Sequence, residues 1–245
     1  MLSGQGNPPG LLIEREGEIL SFTLNNPQFN NEVSGAMMEA MLRELRAEAI
    51  RPSARVLRIR ANGKVFCTGR ERAGRDVASV REESARIIDF KRALRNSPLI
   101  SICEVQGDAF GFGFGLAIVS DFVLVAEGAS LGFPEMRHGL APAAIMAYLG
   151  EYLLPRHAFP LVLFGDPIDP YRALQIGLIS QVCPADRLAV EAKALMEKAL
   201  KLDPVAMRRC KEFFLTAQQN LFEQNSRLAI DALTVGSLAS LAKQK

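Results

Sequence analysis

The stretch "GDAFGFGFGLAIVSD", residues 107–121, sets glycines 111, 113 and 115 alternately with phenylalanines, between one apolar strand-like run and another. A helical run opens inside it. Glycine loses more backbone freedom on folding than any other residue, so three at alternate positions mark a place where something must approach the main chain closely. A dinucleotide-binding G-x-G-x-x-G has to follow a strand and open a helix. The context fits, but the third glycine would fall on Leu116 or Ile118, and no phosphate loop ending in G-K-[ST] is present. Two readings remain on the pattern. One is a tight crossing of strand and helix. The other is an oxyanion site, where open amides and the helix dipole at a helix N-terminus favour negative charge. One such donor is worth roughly 2.7–4 kcal/mol to a transition state that develops an oxyanion. A second donor has to come from another segment, and "KVFCTGRER", residues 64–72, a strand end broken by Gly69, is the candidate.

On the N-terminal side, "LLIEREGEILSFTLNNP" reads as two short strands joined at Gly17 and ended by Pro27. "MMEAMLRELRAEAI" puts Met38, Met41, Leu42, Leu45 and Ala49 on one helical face. "RVLRIRA" alternates as a strand, residues 82–96 form an amphipathic helix stopped by Pro98, and "LISICEV" returns to strand. Beyond the glycines, "FVLVAEGASLGF" reads as strand, turn, strand. The interleaving predicts an α/β domain with crossover connections. From about residue 142 the chain turns helical, with Asp169-Pro170 and Asp203-Pro204 as helix starts. Residues 220–242 string Leu221, Leu228, Leu233, Leu238 and Leu241 along a final helix, which must pack on its own domain or on another subunit.

The 245 residues, 49% of them apolar, suffice for one well-buried domain. A formal charge of +2 with scattered basic residues argues against nucleic acid as a partner. No apolar run approaches the ~20 residues of a membrane span. "MLSGQGNPPG" lacks the pattern of a signal peptide and is expected to be a short flexible leader, residues 1–10, on a cytoplasmic protein. Cysteines 67, 103, 183 and 210 and the two histidines, His138 and His157, are scattered, so no metal site is expected.

Four segments in order, "VFCTGRE", "VQGDAFGFGFGLAIVSDFVLVA", "ASLGFPEMRHGLAP" and "YRALQIGLISQVCP", resemble the crotonase (enoyl-CoA hydratase/isomerase) superfamily. The similarity is collinear over about residues 11–185, and the helical tail matches too. The resemblance implies a crotonase-like spiral of ββα turns as a core domain at 11–185. It implies a C-terminal helical trimerisation region at 186–245, and so a homotrimer or a dimer of trimers. The implied substrate is an acyl-CoA thioester, with coenzyme A as part of the substrate and no separate cofactor. Its thioester oxygen is held by two backbone amides, which carry over to Arg70 and Phe112. Phe112 stands where the family usually has glycine, so its ring must point away from the thioester.

The hydrating members use two glutamates to hold one water. Glu135 of "GFPE" matches the second; the first falls on Gly115. One carboxylate suffices to move a proton, so the resemblance favours isomerisation of a 3-enoyl-CoA to the conjugated 2-enoyl-CoA with Glu135 as proton shuttle. An apolar setting beside Phe133 and Pro134 is expected to raise its pKa. The alternatives are hydration with water held by Glu135 and another partner, a further crotonase-type lyase, hydrolase or decarboxylase, and a catalytically silent acyl-CoA binder. The nucleophilic aspartate of the dehalogenating members falls on Ala143. Phe114, Gly115, His138 and Ala143 are the pocket candidates, and Glu71, Asp108 and Glu151 are further polar residues near the inferred site. Asn26 stands where a basic residue often contacts coenzyme A, which leaves Arg70 or Arg72 for the phosphates.

Overall fold

Strand and helix alternate as expected, and they do so in a repeating order. The computed structural model describes residues 7–72, 74–218 and 220–242; residues 1–6 of the expected leader and the side chains of Leu238 and Leu241 lie outside the described residues. β1 (Leu11–Glu16) and β2 (Ile19–Leu24) form an antiparallel hairpin whose turn uses Gly17 at φ +56°, a left-handed conformation that side chains disfavour. α1 (Gly35–Ile50) leads to β3 (Val56–Ala61), parallel to β2, and α2 (Val77–Arg95) leads to β4 (Ile100–Val105), parallel to β3. The two-residue β5 (Ala109–Phe110) and α3 (Phe112–Val119) precede β6 (Phe122–Ala126), which pairs parallel with β4. After β7 (Leu131–Gly132) come α4 (Ala143–Leu149), α5 (Pro155–Phe164) and α6 (Pro170–Gln175). β8 (Gln181–Cys183) then joins β6, giving one sheet in the order β1-β2-β3-β4-β6-β8. α7 (Leu188–Leu200), α8 (Pro204–Ala217) and α9 (Phe222–Ala242) follow.

A second, narrow layer gains a contact with each turn of the chain. Val33 bridges Arg70, Cys67 bridges Ala109, β5 pairs parallel with β7, and Leu131 bridges Ile168. Each turn thus supplies a strand to the large sheet, a short segment to the narrow layer, and a helix. This is a spiral of ββα turns.

The sheet is covered on both faces. The larger core gathers Phe22, Met41, Ile59, Phe66, Phe90 and Phe114 with the helices α1, α2 and α3. The smaller joins Val56, Ile102, Leu124 and Cys183 to Leu188, Ala192 and Met196 of α7. The region expected to serve assembly therefore begins with a helix that covers the sheet. α8 is tied to it as well. Lys211 Nζ donates to the Leu99 carbonyl and to Asp121 Oδ2, each at 2.7 Å, and Asp121 Oδ2 also accepts from Ser101 N.

Two local details depart from the pattern reading. α2 starts at Val77 rather than at 82, because Asp76 caps it by accepting from Ala78 N and Ser79 N. The buried stripe of α1 ends in Glu48, while Ala49 is exposed. The Glu48 carboxylate is buried because it has partners: Arg15 Nη1 at 2.6 Å, Ser53 N at 2.7 Å and Ala54 N at 3.0 Å.

Candidate active site

The narrow layer fixes what meets what. Cys67, Ala109 and Leu131 stand abreast in it. Three residues beyond each stand Arg70, which the Val33 bridge still holds in the layer, Phe112 at the start of α3, and Pro134. Adjacent strands lie roughly 4.7–4.9 Å apart, so three successive turns bring Arg70, Phe112 and the Glu135 turn to one edge. At the bridge with Val33, the neighbours of Arg70 make the bonds: Val33 N donates to Gly69 O at 3.2 Å, and Glu71 N donates to Val33 O at 3.0 Å. Phe112 is the first residue of α3, whose first internal bond runs from Gly115 N to Gly111 O at 3.0 Å. Its N–H is one of the open donors of a helix N-terminus. Among the described residues neither the Arg70 nor the Phe112 N–H has an acceptor.

The glycines allow this crossing. Gly111, at φ +52°, turns the chain from β5 into α3, and a side chain there would meet Glu135 Oε1 at 3.2 Å. A Cβ on Gly113 would run into the Cys67 carbonyl, whose oxygen already accepts from Phe110 N at 2.9 Å. Gly115 is buried, and a Cβ there would stand 2.7 Å from the Tyr148 hydroxyl and 3.2 Å from Lys91 Nζ. Both readings of the stretch hold a part: the glycines admit protein neighbours, and the same bend leaves an N–H open.

Glu135 lies in the single helical turn Pro134–His138 that follows β7. Its Oε2 is buried and has no hydrogen-bond partner. Desolvation holds its pKa above the ordinary carboxylate range, with Arg72 and His138 pulling the other way. A carboxyl group in that state, against the Gly111 turn that opens α3, is chemically suited to take and return a proton.

The other expected residues take varied places. The Phe112 ring lies on the α2 side, its centroid 6.1 Å from that of Phe90. Phe114 is fully buried and stacks on Phe133 at 5.1 Å, so it supports the Glu135 turn from the core. His138 and Ala143 are exposed. Asp108 is occupied by Ser130 N at 3.0 Å, and Glu151 pairs with Arg95. Glu71 and Arg72 are exposed, while Arg70 bonds Glu83 at 3.3 Å and the Glu71 carbonyl at 3.0 Å. A hollow of about 180 Å³ beside Arg70, lined by Val33, Met38, Glu83 and Arg86, takes in neither Phe112 nor Glu135. Among the described residues no three of His, Cys, Asp and Glu are grouped to hold a metal ion, and no helix is long and apolar enough to cross a membrane.

Two residues at this edge escaped the pattern reading. Lys91 is 5% exposed, and its Nζ sits 4.6 Å from the Phe112 ring centroid and 3.4 Å from the Phe112 carbonyl. Tyr148 donates to the Gly115 carbonyl at 3.2 Å. The signal for Lys91 was its phase: a lysine on the buried stripe Ile87, Phe90, Leu94 of α2.

The family model for enoyl-CoA hydratase/isomerase matches residues 14–243. A 2,3-dehydroadipyl-CoA hydratase of Escherichia coli is 30% identical over 217 residues, 85% of this chain and 83% of that one. An enoyl-CoA isomerase/hydratase of Mycosarcoma maydis is 29% identical over 215 residues, 79% of this chain and 75% of that one. Among solved structures, a putative enoyl-CoA hydratase of Thermobifida fusca in complex with CoA superposes with a TM-score of 0.87 at 28% identity, covering 96% of this chain and 95% of that one. With a match spanning nearly the whole sequence and the spiral of turns in place, the chain belongs to the enoyl-CoA hydratase/isomerase family.

Proposed function

We propose that the protein isomerises a 3-enoyl-CoA to the 2-enoyl-CoA. Arg70 N and Phe112 N hold the thioester oxygen. The Glu135 carboxylate takes a proton from the carbon next to the thioester, and the electron pair passes onto the oxygen as a dienolate. The protonated Glu135 then returns the proton two carbons further on, and the double bond moves into conjugation. One observation carries the preference for isomerisation. Position 115 bears no carboxylate, and the space its side chain would enter is taken by the Tyr148 hydroxyl and Lys91 Nζ. A second reading is hydration, which the hydratase names of the E. coli and T. fusca relatives favour. Tyr148 or Lys91 is then the partner that helps Glu135 hold water. For coenzyme A, the exposed Arg72 is a freer phosphate contact than Arg70, which Glu83 engages.

The experiment is a panel of 2-enoyl-, 3-enoyl- and β-keto-acyl-CoA compounds, with products separated by chromatography and weighed. Isomerisation gives a product of unchanged mass from the 3-enoyl compound, and Glu135→Gln lowers that rate by at least the ~10²–10⁴-fold ascribed to acid–base help. A gain of one water by the 2-enoyl compound, faster than any double-bond shift, selects hydration instead. Acyl-CoA binding without turnover across the panel selects a silent binder.

The exposed apolar side chains of the C-terminal half support assembly through it. Phe159, Phe164, Phe214, Ile230 and Leu233 are each more than half exposed in the single chain. A homotrimer, or a dimer of trimers, would cover them.

A further inference from the structure

Among the described residues Lys91 is the one lysine whose amine is buried against Phe112, and the proposed reaction does not use it. Its stem leaves α2 among Ile87, Phe90 and Leu94, and its nitrogen ends between two rings, 4.6 Å from the centroid of Phe112 and 5.9 Å from that of Tyr148. It donates to the Phe112 carbonyl at 3.4 Å. Among the described residues no carboxylate lies within 4 Å of it. The groups that face it are Cys67 from the narrow layer, Cys103 from β4, and Tyr148 from α4. Burial pushes the Cys67 thiol up to about 12 and the Cys103 thiol and Tyr148 phenol up as well, so all three are neutral around pH 7. A buried amine with no counter-charge is unusual, because an unpaired buried charge is strongly disfavoured. What it lacks is an anion, and the carbonyl and ring it touches belong to Phe112, whose own N–H is open at the start of α3.

We propose that Lys91 is a positioning and electrostatic residue of the reaction: its ammonium holds Phe112 at the head of α3 and supplies the buried positive charge that an enolate oxygen on the Phe112 amide attracts. The proposal rests on the oxyanion reading of Arg70, Phe112 and Glu135. No proton passes through Lys91. Glu135 breaks the C–H bond, the electron pair goes to the thioester oxygen, and the lysine, bonded to the carbonyl of the next peptide, stabilises that charge through space. Preorganised charge of this kind acts in a site from which water is excluded. Burial brings the Lys91 pKa down to about 7, so the charged form is drained as pH rises through neutrality. Gly115 belongs to the same device, since any side chain at that position would displace the amine.

The test follows exchange of the α-protons of a saturated acyl-CoA in D₂O by mass, because exchange reports enolate formation whatever reaction follows. For the wild type, the rate at saturating substrate falls on the acid side as Glu135 protonates and on the alkaline side as Lys91 loses its charge. Lys91→Met is expected to slow exchange on the order of 10²-fold at pH 6, to abolish the alkaline limb, and to leave CoA binding within a factor of two or so. It should melt no lower than the wild type, since a buried ammonium is removed. Exchange by Lys91→Met at the wild-type rate with the same alkaline limb overturns the role of Lys91 and leaves Glu135 standing. Undiminished exchange by Glu135→Gln, or none by the wild type, overturns the reading underneath. Should Lys91→Met fail to fold, Lys91→Gln is read in its place, and exchange at the wild-type rate with the same alkaline limb overturns the proposal.

Discussion

Glu135 shows how one side chain takes up opposite demands of stability and chemistry. Its buried, unpartnered Oε2 and its raised pKa mean that the folded chain prefers the protonated acid. That preference favours folding below the ordinary carboxylate pKa and is lost as pH rises through the raised folded value. At neutral pH the charge therefore works against the fold. Glu135→Gln, which ends proton transfer in the proposed reaction, should accordingly raise the melting temperature near pH 7. A rise of roughly 2–4 °C corresponds to ~1 kcal/mol in a chain of this size. The gain should shrink as pH falls into the ordinary carboxylate range, which melting curves of both proteins across pH would show. A loss of stability at pH 7 would mean that the carboxylate has a partner in solution. Lys91 follows the same rule with the sign reversed. Its depressed pKa makes the ammonium a burden below about 7, relieved as pH rises.

At the scale of elements, the site depends on α3 starting where it does. The helix is reached through Gly111 in a left-handed turn and seated by Gly113 against Cys67. Gly113→Ala places a methyl group against the Cys67 carbonyl, a backbone atom fixed by its bond from Phe110 N. Overpacking of this sort costs about 1–3 kcal/mol, and relief requires α3 to move away from the narrow layer. The variant should lose stability to denaturant by that amount and lose α-proton exchange by a larger factor than stability explains. Wild-type exchange at conditions where both proteins are fully folded would show that the N-terminus of α3 does not hold the oxygen. The glycines were plain in the sequence, but their partners were not. Cys67 and Gly113 are far apart in the chain, and only the pairing of Cys67 with Ala109 makes them neighbours.

For the whole molecule, the sheet buries one face under α1 to α3 and the other under α7, yet α5, α6, α8 and α9 leave large apolar side chains in water. Ile230 and Leu233 on α9 are 65% and 70% exposed. Sedimentation of the wild type should give three or six copies of the 26.8 kDa chain, and Leu233→Glu should shift the protein toward smaller species. A wild-type monomer at micromolar concentration would remove the proposed assembly. Within the C-terminal helical region, α7 lies on the sheet and Lys211 of α8 is bonded to Leu99 and Asp121 in the core.

By itself the sequence determined the alternation of strands and helices, the caps at Asp169 and Asp203, the glycine-bent start of α3, and the presence of Glu135 without a carboxylate at 115. These are local matters, set by periodicity, turn chemistry and residue type within a few positions. Tertiary structure alone decided that Cys67, Ala109 and Leu131 stand abreast in the narrow layer, with Arg70, Phe112 and Glu135 three or four residues beyond them. It also decided that Phe114 faces the core, and that Lys91 and Tyr148 occupy the place beside Gly115. The physical reason is register: strand pairing between successive turns fixes which distant residues share an edge, and burial then changes the charge each can carry.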